Sequence, residues 1–397
     1  MTNHLASLTR RGLLAGSMAL GLLPRGTRAA EAHGGTATWP CDDAACDALR
    51  GSLGSPALGF ARDAAGAVSL TVSGWRMRGR VERALADDVW HWGSISKPVT
   101  ATLIAQAVEA GELRWDDRPL VLLRDDLPDA HQGYAGVTLL HLLSHRAGLA
   151  PMASDVELLF LPRTEDDARA SRLIAARQSF ARPPASRPGT QYAYGNRGYM
   201  IAAAMLEKAV GVPFEALMTQ RLFAALGLAS AGFGPPGTPG RLDQPVGHVS
   251  VGGKRTLTPR PPESPIADNP VAFSPAARVH MNLADMLRFL AAHRDRTALL
   301  SAASWQRLHT APFGGDYALG WWLAAEGLTH SGSNTLWNAD VLVAPRYVAA
   351  AATNDGDFDR VHPALHAAIC ELATLCGPAA GGGARVAGTG SARNGGS

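Results

Sequence analysis

Lysine is almost missing from this chain of 397 residues. Of its 37 basic residues only Lys97, Lys208 and Lys254 are lysine, and every other one is arginine. Where positive charge alone is wanted the protein uses arginine, which leaves lysine for what arginine cannot do: shed its proton and act as a base. Net charge is also small, formally +3, and no basic run is interleaved with aromatics, so nucleic acid is excluded as a partner. There are 4 cysteines, none spaced C-x-x-C, which leaves a zinc or thioredoxin-type motif unsupported. No G-x-S-x-G elbow occurs, so the α/β-hydrolase fold is not a rival. Long apolar runs are absent except at the start, in "RRGLLAGSMALGLLPRGTRAAEA". There Arg10 and Arg11 precede an apolar segment too short to span a bilayer, and the small-residue site Ala30-Glu31-Ala32 follows. This layout predicts a twin-arginine export signal over residues 1–32, a mature chain outside the cytoplasm (periplasmic or secreted) and no membrane span in it.

What the chain does have is enough apolar sequence, 46%, to bury a large core as one two-lobed unit or two domains. "ALGFARD" and "AVSLTVSGW" alternate and are rich in strand formers, which predicts a hairpin or two strands over residues 57–75. In "PVTATLIAQAVEAGEL" residues Val99, Leu103, Ala107 and Val108 recur at helical spacing, and Gly111 is placed to end that helix. Residues 138–210 read as mainly helical around a Pro/Arg-rich interruption, and 229–275 as a long irregular excursion. "NLADMLRFLAAH" is an amphipathic helix opened by Asn282. "YALGWWLAA", "LWNADVLVAP" and "YVAAAATNDG" read as three strands, and "DRVHPALHAAICELATLC" as a closing helix. The expected fold class is therefore α/β (α+β): an α/β lobe from about 41–110 and 300–376, a helical lobe over 111–299, and a disordered tail over 377–397. The cysteines sit only at the ends and fit an oxidising compartment. Antiparallel terminal helices would let Cys41 face Cys376 and Cys46 face Cys370; free buried thiols are the alternative.

Three short motifs could carry chemistry. In "HWGSISKPVT" Ser94 and Lys97 lie three residues apart at a helix start, with Pro98 in the first turn where its missing N–H costs nothing. A serine hydroxyl is a poor nucleophile until a neighbouring base takes its proton, and Lys97 is so placed. In "QYAYGNRGYM" Tyr194 could carry a proton if a nearby cation lowered its pKa, and Asn196 could hold a substrate carbonyl. In "LTHSGSNTLW" His330-Ser331-Gly332 ends a strand, and the glycine permits close backbone approach of a substrate.

In this order S-x-x-K, Y-x-N and H-x-G resemble the serine β-lactamase and penicillin-binding-protein superfamily, in which such motifs face one cleft. "GSISK" closely resembles the class C enzymes and the broad group of related esterases and D-aminopeptidases. "VEAGELRWDDRPL", "VTLLHLLSHRAGL", "ADMLRFL" and "YALGWW" also have counterparts there. The resemblance implies a β-lactamase/transpeptidase-like fold, an antiparallel sheet flanked by helices plus an all-helical lobe. It implies that Ser94 is acylated, that Lys97 and Tyr194 handle its proton, and that Asn196 orients the substrate. His330 would stand where many relatives have lysine, and the N–H groups of Ser94 and of Ser333, after Gly332, would form an oxyanion hole. The activity implied is ester, D-amino-acid peptide or amide, or slow β-lactam hydrolysis, with no cofactor and no metal. The alternative is a catalytically silent binder of cell-wall fragments or penicillin.

His141 and His145, four apart in "HLLSH", have the spacing of zinc ligands but lack the H-E-x-x-H glutamate, and the resemblance assigns them to packing. The tryptophans at 90, 92, 321, 322 and 337 are expected to line the cleft or fill the core. With an ordinary pKa near ~6.5, His330 is mostly neutral at pH 7. The rate is then expected to fall as pH drops through its titration, which a pH–rate profile from 5 to 8 reads.

Overall fold

Strands from opposite ends of the chain build one antiparallel sheet. The computed structural model describes residues 43–150, 160–163, 168–250 and 256–375. The export-signal stretch, Cys41, Cys376 and the tail fall outside the described residues. β1 (Ala57–Ala64) and β2 (Ala67–Gly74) form the hairpin expected over 57–75. Its two-residue turn, Ala65-Gly66, has φ of 52° and 92°, the mirror-image geometry that matches the twist of the flanking strands. The sheet is completed by β8 (Trp322–Leu323), β9 (Leu328–Ser333), β10 (Asn338–Val343) and β11 (Val348–Thr353), in the order β2-β1-β11-β10-β9-β8. The sequence promised three strands in "YALGWWLAA" and the two stretches after "LTHSGSN". The first of these supplies only the two residues of β8, and β9 stands as a full strand beside it.

β10 and β11 are buried along their whole length. Alternate residues of β11 enter different cores: Val348, Ala350 and Ala352 face the large one, Ala349 and Ala351 a smaller one. The smaller core lies under helices α1 (Asp43–Leu53) and α7 (Phe358–Leu375). On the other face packs α6 (Leu283–Asp295), touching β1, β10 and β11; it falls within the 111–299 stretch read as a helical lobe. Asn282 caps α6 as expected, its side chain accepting from Asp285 N at 2.8 Å.

The same outer face corrects one expected disulfide. Cys46 and Cys370 are both free thiols. Cys46 turns into the sheet and donates to the Leu58 carbonyl at 3.4 Å, whereas Cys370 lies 3.8 Å from Nε2 of His366, one helical turn away. Burial pushes the Cys46 thiol up to about 12, which makes it inert at neutral pH.

Between the two ends of the sheet run α2 (Ser96–Glu109), α3 (Leu139–Leu143), α4 (Ala168–Phe180) and α5 (Arg197–Val210). The excursion read as irregular holds β4 (Gly232–Phe233) and the small hairpin β5 (Gly247–Ser250) and β6 (Leu257–Arg260). β4 pairs with β7 (Val279–Asn282), which pairs in turn with β3 (Val89–His91). Four of the five tryptophans in question, Trp90, Trp92, Trp321 and Trp337, are core residues.

Arginine's planar fork appears at the α4–α5 contact. Fully buried Arg172 donates to Glu207 Oε2 at 3.1 Å and to Glu215 Oε1 at 2.8 Å. Glu207 also accepts the backbone N–H of Phe214 at 2.9 Å. Removing one partner of a buried pair leaves a stranded charge. Arg172→Ala, which leaves the buried Glu207 without its cation, is therefore expected to cost about 3–5 kcal/mol, measured by urea unfolding.

Candidate active site

β3 leads straight into the turn that carries Ser94. Trp92, just after it, is held by its own N–H to the Val279 carbonyl at 2.9 Å and by its indole N–H to the Met281 carbonyl, also at 2.9 Å. A single 3₁₀ turn, Gly93–Ile95, follows, and then α2. Ser96 locks the junction: its hydroxyl donates to the Gly93 carbonyl at 2.7 Å and accepts from Val279 N at 2.9 Å. The first three turns of α2 are buried on all sides, as in a helix that runs through a core.

Lys97 has no exposed surface. Its Nζ lies 3.1 Å from Ser94 Oγ, 2.9 Å from Asn196 Oδ1 and 3.1 Å from the Ala276 carbonyl. These three acceptors match the three donors of an ammonium. They equally match a neutral amine that donates to Asn196 and Ala276 while its lone pair receives the Ser94 hydroxyl proton. Asn196 occupies the N-cap position of α5 but makes no side-chain cap bond; its oxygen is given to Lys97 instead.

Tyr194 lies with its ring centre 4.7 Å from Lys97 Nζ and 4.5 Å from the ring of His145. Its hydroxyl is buried with no hydrogen-bond partner of full geometry. Burial pushes the phenol up, and the nearby Ser94 hydroxyl offsets only part of that. The condition of a neighbouring cation that lowers the phenol is not met here: burial dominates, and Ser94 is what acts in the lowering direction.

His330 stands on β9 with no exposed surface. Its Nδ1 lies 2.7 Å from the Ser331 carbonyl and its Nε2 3.2 Å from the Tyr317 hydroxyl. The carbonyl fixes the proton on Nδ1, so Nε2 accepts from Tyr317. Burial, reinforced by Lys97, lowers its pKa to about 3. His330 is therefore neutral throughout pH 5–8, and the expected loss of rate through its titration in that range is withdrawn.

Two glycines let the strand and the turn meet backbone to backbone. A side chain at Gly332 would fall on the Trp92 carbonyl oxygen, and one at Gly93 on the backbone nitrogen of Ser333. Gly93 also has φ of 50°, a conformation that favours glycine. Ser94 and Ser333, each adjacent to one of these glycines, are thereby set side by side. All seven residues singled out in the sequence, Ser94, Lys97, Tyr194, Asn196, His330, Gly332 and Ser333, converge on this junction. A hydroxyl in contact with a buried amine, beside a close backbone-to-backbone junction, can carry out nucleophilic acyl transfer.

Several residues here were not picked out from the sequence as parts of the site. Tyr317 partners His330. His145, with φ of 59°, lies against Tyr192, Tyr194, Tyr199 and Tyr317 and accepts from Gly195 N at 3.4 Å. His141 faces elsewhere, its Nδ1 2.8 Å from the Thr138 hydroxyl at the start of α3. Trp322, one of the five tryptophans expected to line the cleft or fill the core, adds its ring to the wall of Tyr192 and Tyr317.

A six-stranded antiparallel sheet flanked by helices, with a serine–lysine pair at its edge, defines a serine hydrolase fold. Residues 18–373 match the family described as Beta-lactamase, and the chain belongs to that family. It is 29% identical over 333 residues to penicillin-binding protein 4 of Amycolatopsis lactamdurans, covering 78% of this chain and 84% of that one. Among solved structures, the octameric penicillin-binding protein homologue from Pyrococcus abyssi superposes with a TM-score of 0.67 at 19% identity, covering 82% of this chain and 76% of that one. A D-stereospecific amidohydrolase from Streptomyces superposes with a TM-score of 0.61 at 20% identity, over 82% and 98%. At such identities the structural likeness is one of fold.

The buried imidazoles give a pH prediction. Burial lowers His248, His280 and His309 to about 4, and His330 to about 3. A base depressed in the fold stabilises it above its unfolded pKa, and that stability is lost as pH falls from about 6.5 towards the folded value. His366, raised to about 10 mainly by Asp340, acts in the opposite sense: its contribution is full below about 6.5 and is lost as pH rises from there through about 10. The expected outcome is a steady fall in the urea midpoint between pH 6.5 and 4, on the order of 3 kcal/mol for each of the three histidines at about 4.

Proposed function

We propose that this protein of the beta-lactamase family hydrolyses esters, D-amino-acid peptides or amides, and slowly β-lactams, through an acyl-enzyme on Ser94. The observation that carries the reading is the convergence of Ser94 Oγ and Asn196 Oδ1 on Lys97 Nζ, at 3.1 Å and 2.9 Å. In its neutral form Lys97 takes the hydroxyl proton as Ser94 Oγ attacks the substrate carbonyl. The oxyanion is received by the N–H groups of Ser94 and Ser333, while Asn196 orients the amide or ester. The proton then passes to the departing alcohol or amine, directly or by way of the Tyr194 hydroxyl. Water attacks the acyl-enzyme, gives up a proton to the Ser94–Lys97 pair, and the acid leaves. Tyr194, kept as a phenol, serves as a donor rather than a resting tyrosinate.

A neutral His330 supplies no charge for a substrate carboxylate, which supports uncharged esters and amides over penicillins. The amidohydrolase of like fold supports D-amino-acid amides within that class. The layout of residues 1–32 supports action in the periplasm or outside the cell. The test is intact-mass spectrometry with a fluorophosphonate, a penicillin and a p-nitrophenyl ester, with nitrophenol release followed in parallel. One adduct on the Ser94 peptide with continuing release is expected, and Ser94→Ala should lower release by about a thousandfold or more. A single stoichiometric acylation without turnover would make the protein a binder, and undiminished release by Ser94→Ala would place the nucleophile elsewhere.

A further inference from the structure

One buried carboxylate grips both sides of the Ser94–Ser333 junction from behind. Asp268 Oδ2 lies 3.0 Å from His91 Nε2, and their side chains are 4% and 0% exposed. The other ring nitrogen, Nδ1, accepts the backbone N–H of Gly93 at 3.1 Å. That bond fixes the tautomer: Nε2 carries the hydrogen and donates it to Asp268. On its second oxygen Asp268 accepts from Asn334 Nδ2 at 2.9 Å and from the backbone N–H of Asn269 at 2.7 Å. Asn334 in turn accepts the N–H groups of Leu336 and Trp337, each at 3.2 Å, and so holds the turn that leaves β9. Arg278 Nε, 3.4 Å from Oδ2, balances the carboxylate's charge. Burial alone would raise Asp268, yet His91, Arg278 and Asn334 hold it below the usual carboxylate range.

Gly93 directly precedes Ser94, and Asn334 directly follows Ser333. The two arms of Asp268 thus end one residue away from each of the two N–H groups that face the reacting carbonyl. We propose that Asp268 is a positioning residue that sets the spacing of these two oxyanion donors, acting on one through His91 and on the other through Asn334. The inference rests on the assignment of Ser94 as nucleophile. Nothing in it requires Asp268 to touch substrate. A carboxylate can join the two arms only by accepting from both at once; an amide in its place has a single acceptor oxygen and must release one arm. Since a misplacement of about 1 Å can cost about 100-fold in rate, the link is where transition-state geometry is set.

Two substitutions at His91 separate the arms. In His91→Asn the amide oxygen replaces Nδ1 as acceptor for Gly93 but cannot reach Asp268. In His91→Gln the longer side chain reaches Asp268 but leaves Gly93 without its acceptor. Together with Asp268→Asn, both are expected to slow fluorophosphonate labelling of Ser94 and to cut kcat for a nitrophenyl ester by about 10–100-fold, with KM within about threefold. An aryl boronic acid, whose adduct places an oxygen between the two N–H groups, should lose affinity by the same factor. Circular dichroism and melting verify that each variant is folded; should Asp268→Asn not fold, His91→Asn carries the test, since it keeps the local acceptor. A folded His91→Asn or Asp268→Asn enzyme that labels at Ser94 at the wild-type rate overturns the proposal and leaves Ser94 as nucleophile. Wild-type enzyme that takes no label at Ser94 removes that assignment, and this proposal with it.

Discussion

A lysine amine with no exposed surface can persist only where every N–H finds an acceptor, and that demand at Lys97 organises the centre of the molecule. The acceptors come from three separate segments: the Ser94 turn, Asn196 at the head of α5, and the Ala276 carbonyl in the short helix Ser274–Ala277. To satisfy one nitrogen, the chain must bring these segments together around the first turn of α2. Leaving a single donor bare would cost about 1–3 kcal/mol, comparable to the loss of a helix cap. Asn196 shows the trade directly, since its side chain forgoes the cap position it occupies in order to serve Lys97. The scarcity of lysine elsewhere follows the same logic. Where the fold needs a permanent charge with fixed geometry, as at Arg172 between two glutamates, it uses a guanidinium.

The second constraint is backbone proximity. β9 is paired with β10 along all six residues, so Gly332 and Ser333 sit on a rigid element. The Ser94 turn is equally fixed, by Trp92, Ser96 and the His91 ring. Two stiff pieces can meet at van der Waals distance only where both surfaces lack side chains, which Gly93 and Gly332 provide. The glycine of H-x-G thus has a packing role before it has any chemical one, and the all-alanine stretch of β11 does a similar service for the helices above and below the sheet.

Much of this was legible because it is local. The S-x-x-K spacing places two side chains on one helical turn, the alternation over 57–75 announces strands, and Asn282 announces its helix. Ser94, Lys97, Tyr194, Asn196, His330 and Gly332 could be picked out because their motifs flank the start of a helix or the end of a strand, and Ser333 followed from the family resemblance. The Asp268 arrangement was not legible. His91 and Asp268 are 177 residues apart, Asn334 and Asp268 66 apart, and Asp268 lies in a Gly/Pro-rich excursion with no periodicity. Residue type alone also misjudged the titrations of Tyr194 and His330. Their directions are set by burial, which depends on the whole fold. The Cys46–Cys370 pairing failed for a related reason: similar spacing at the two ends says nothing about which way each thiol turns.

The electrostatics of the junction bear on what kind of catalyst it can be. Burial raises the Tyr194 phenol and lowers the His145 and His330 imidazoles, so at neutral pH all three stay uncharged. In the proposed mechanism a negative charge forming on the substrate oxygen meets backbone N–H dipoles, with Lys97 as the nearby cation and no charge from these three rings. Such a site gains much from keeping its dipoles in place, because in a water-poor setting fixed dipoles stabilise charge without having to reorient. Positioning, rather than charge, becomes the quantity the surrounding structure must protect. A buried carboxylate holding the turn from one side and the strand from the other acts on that quantity.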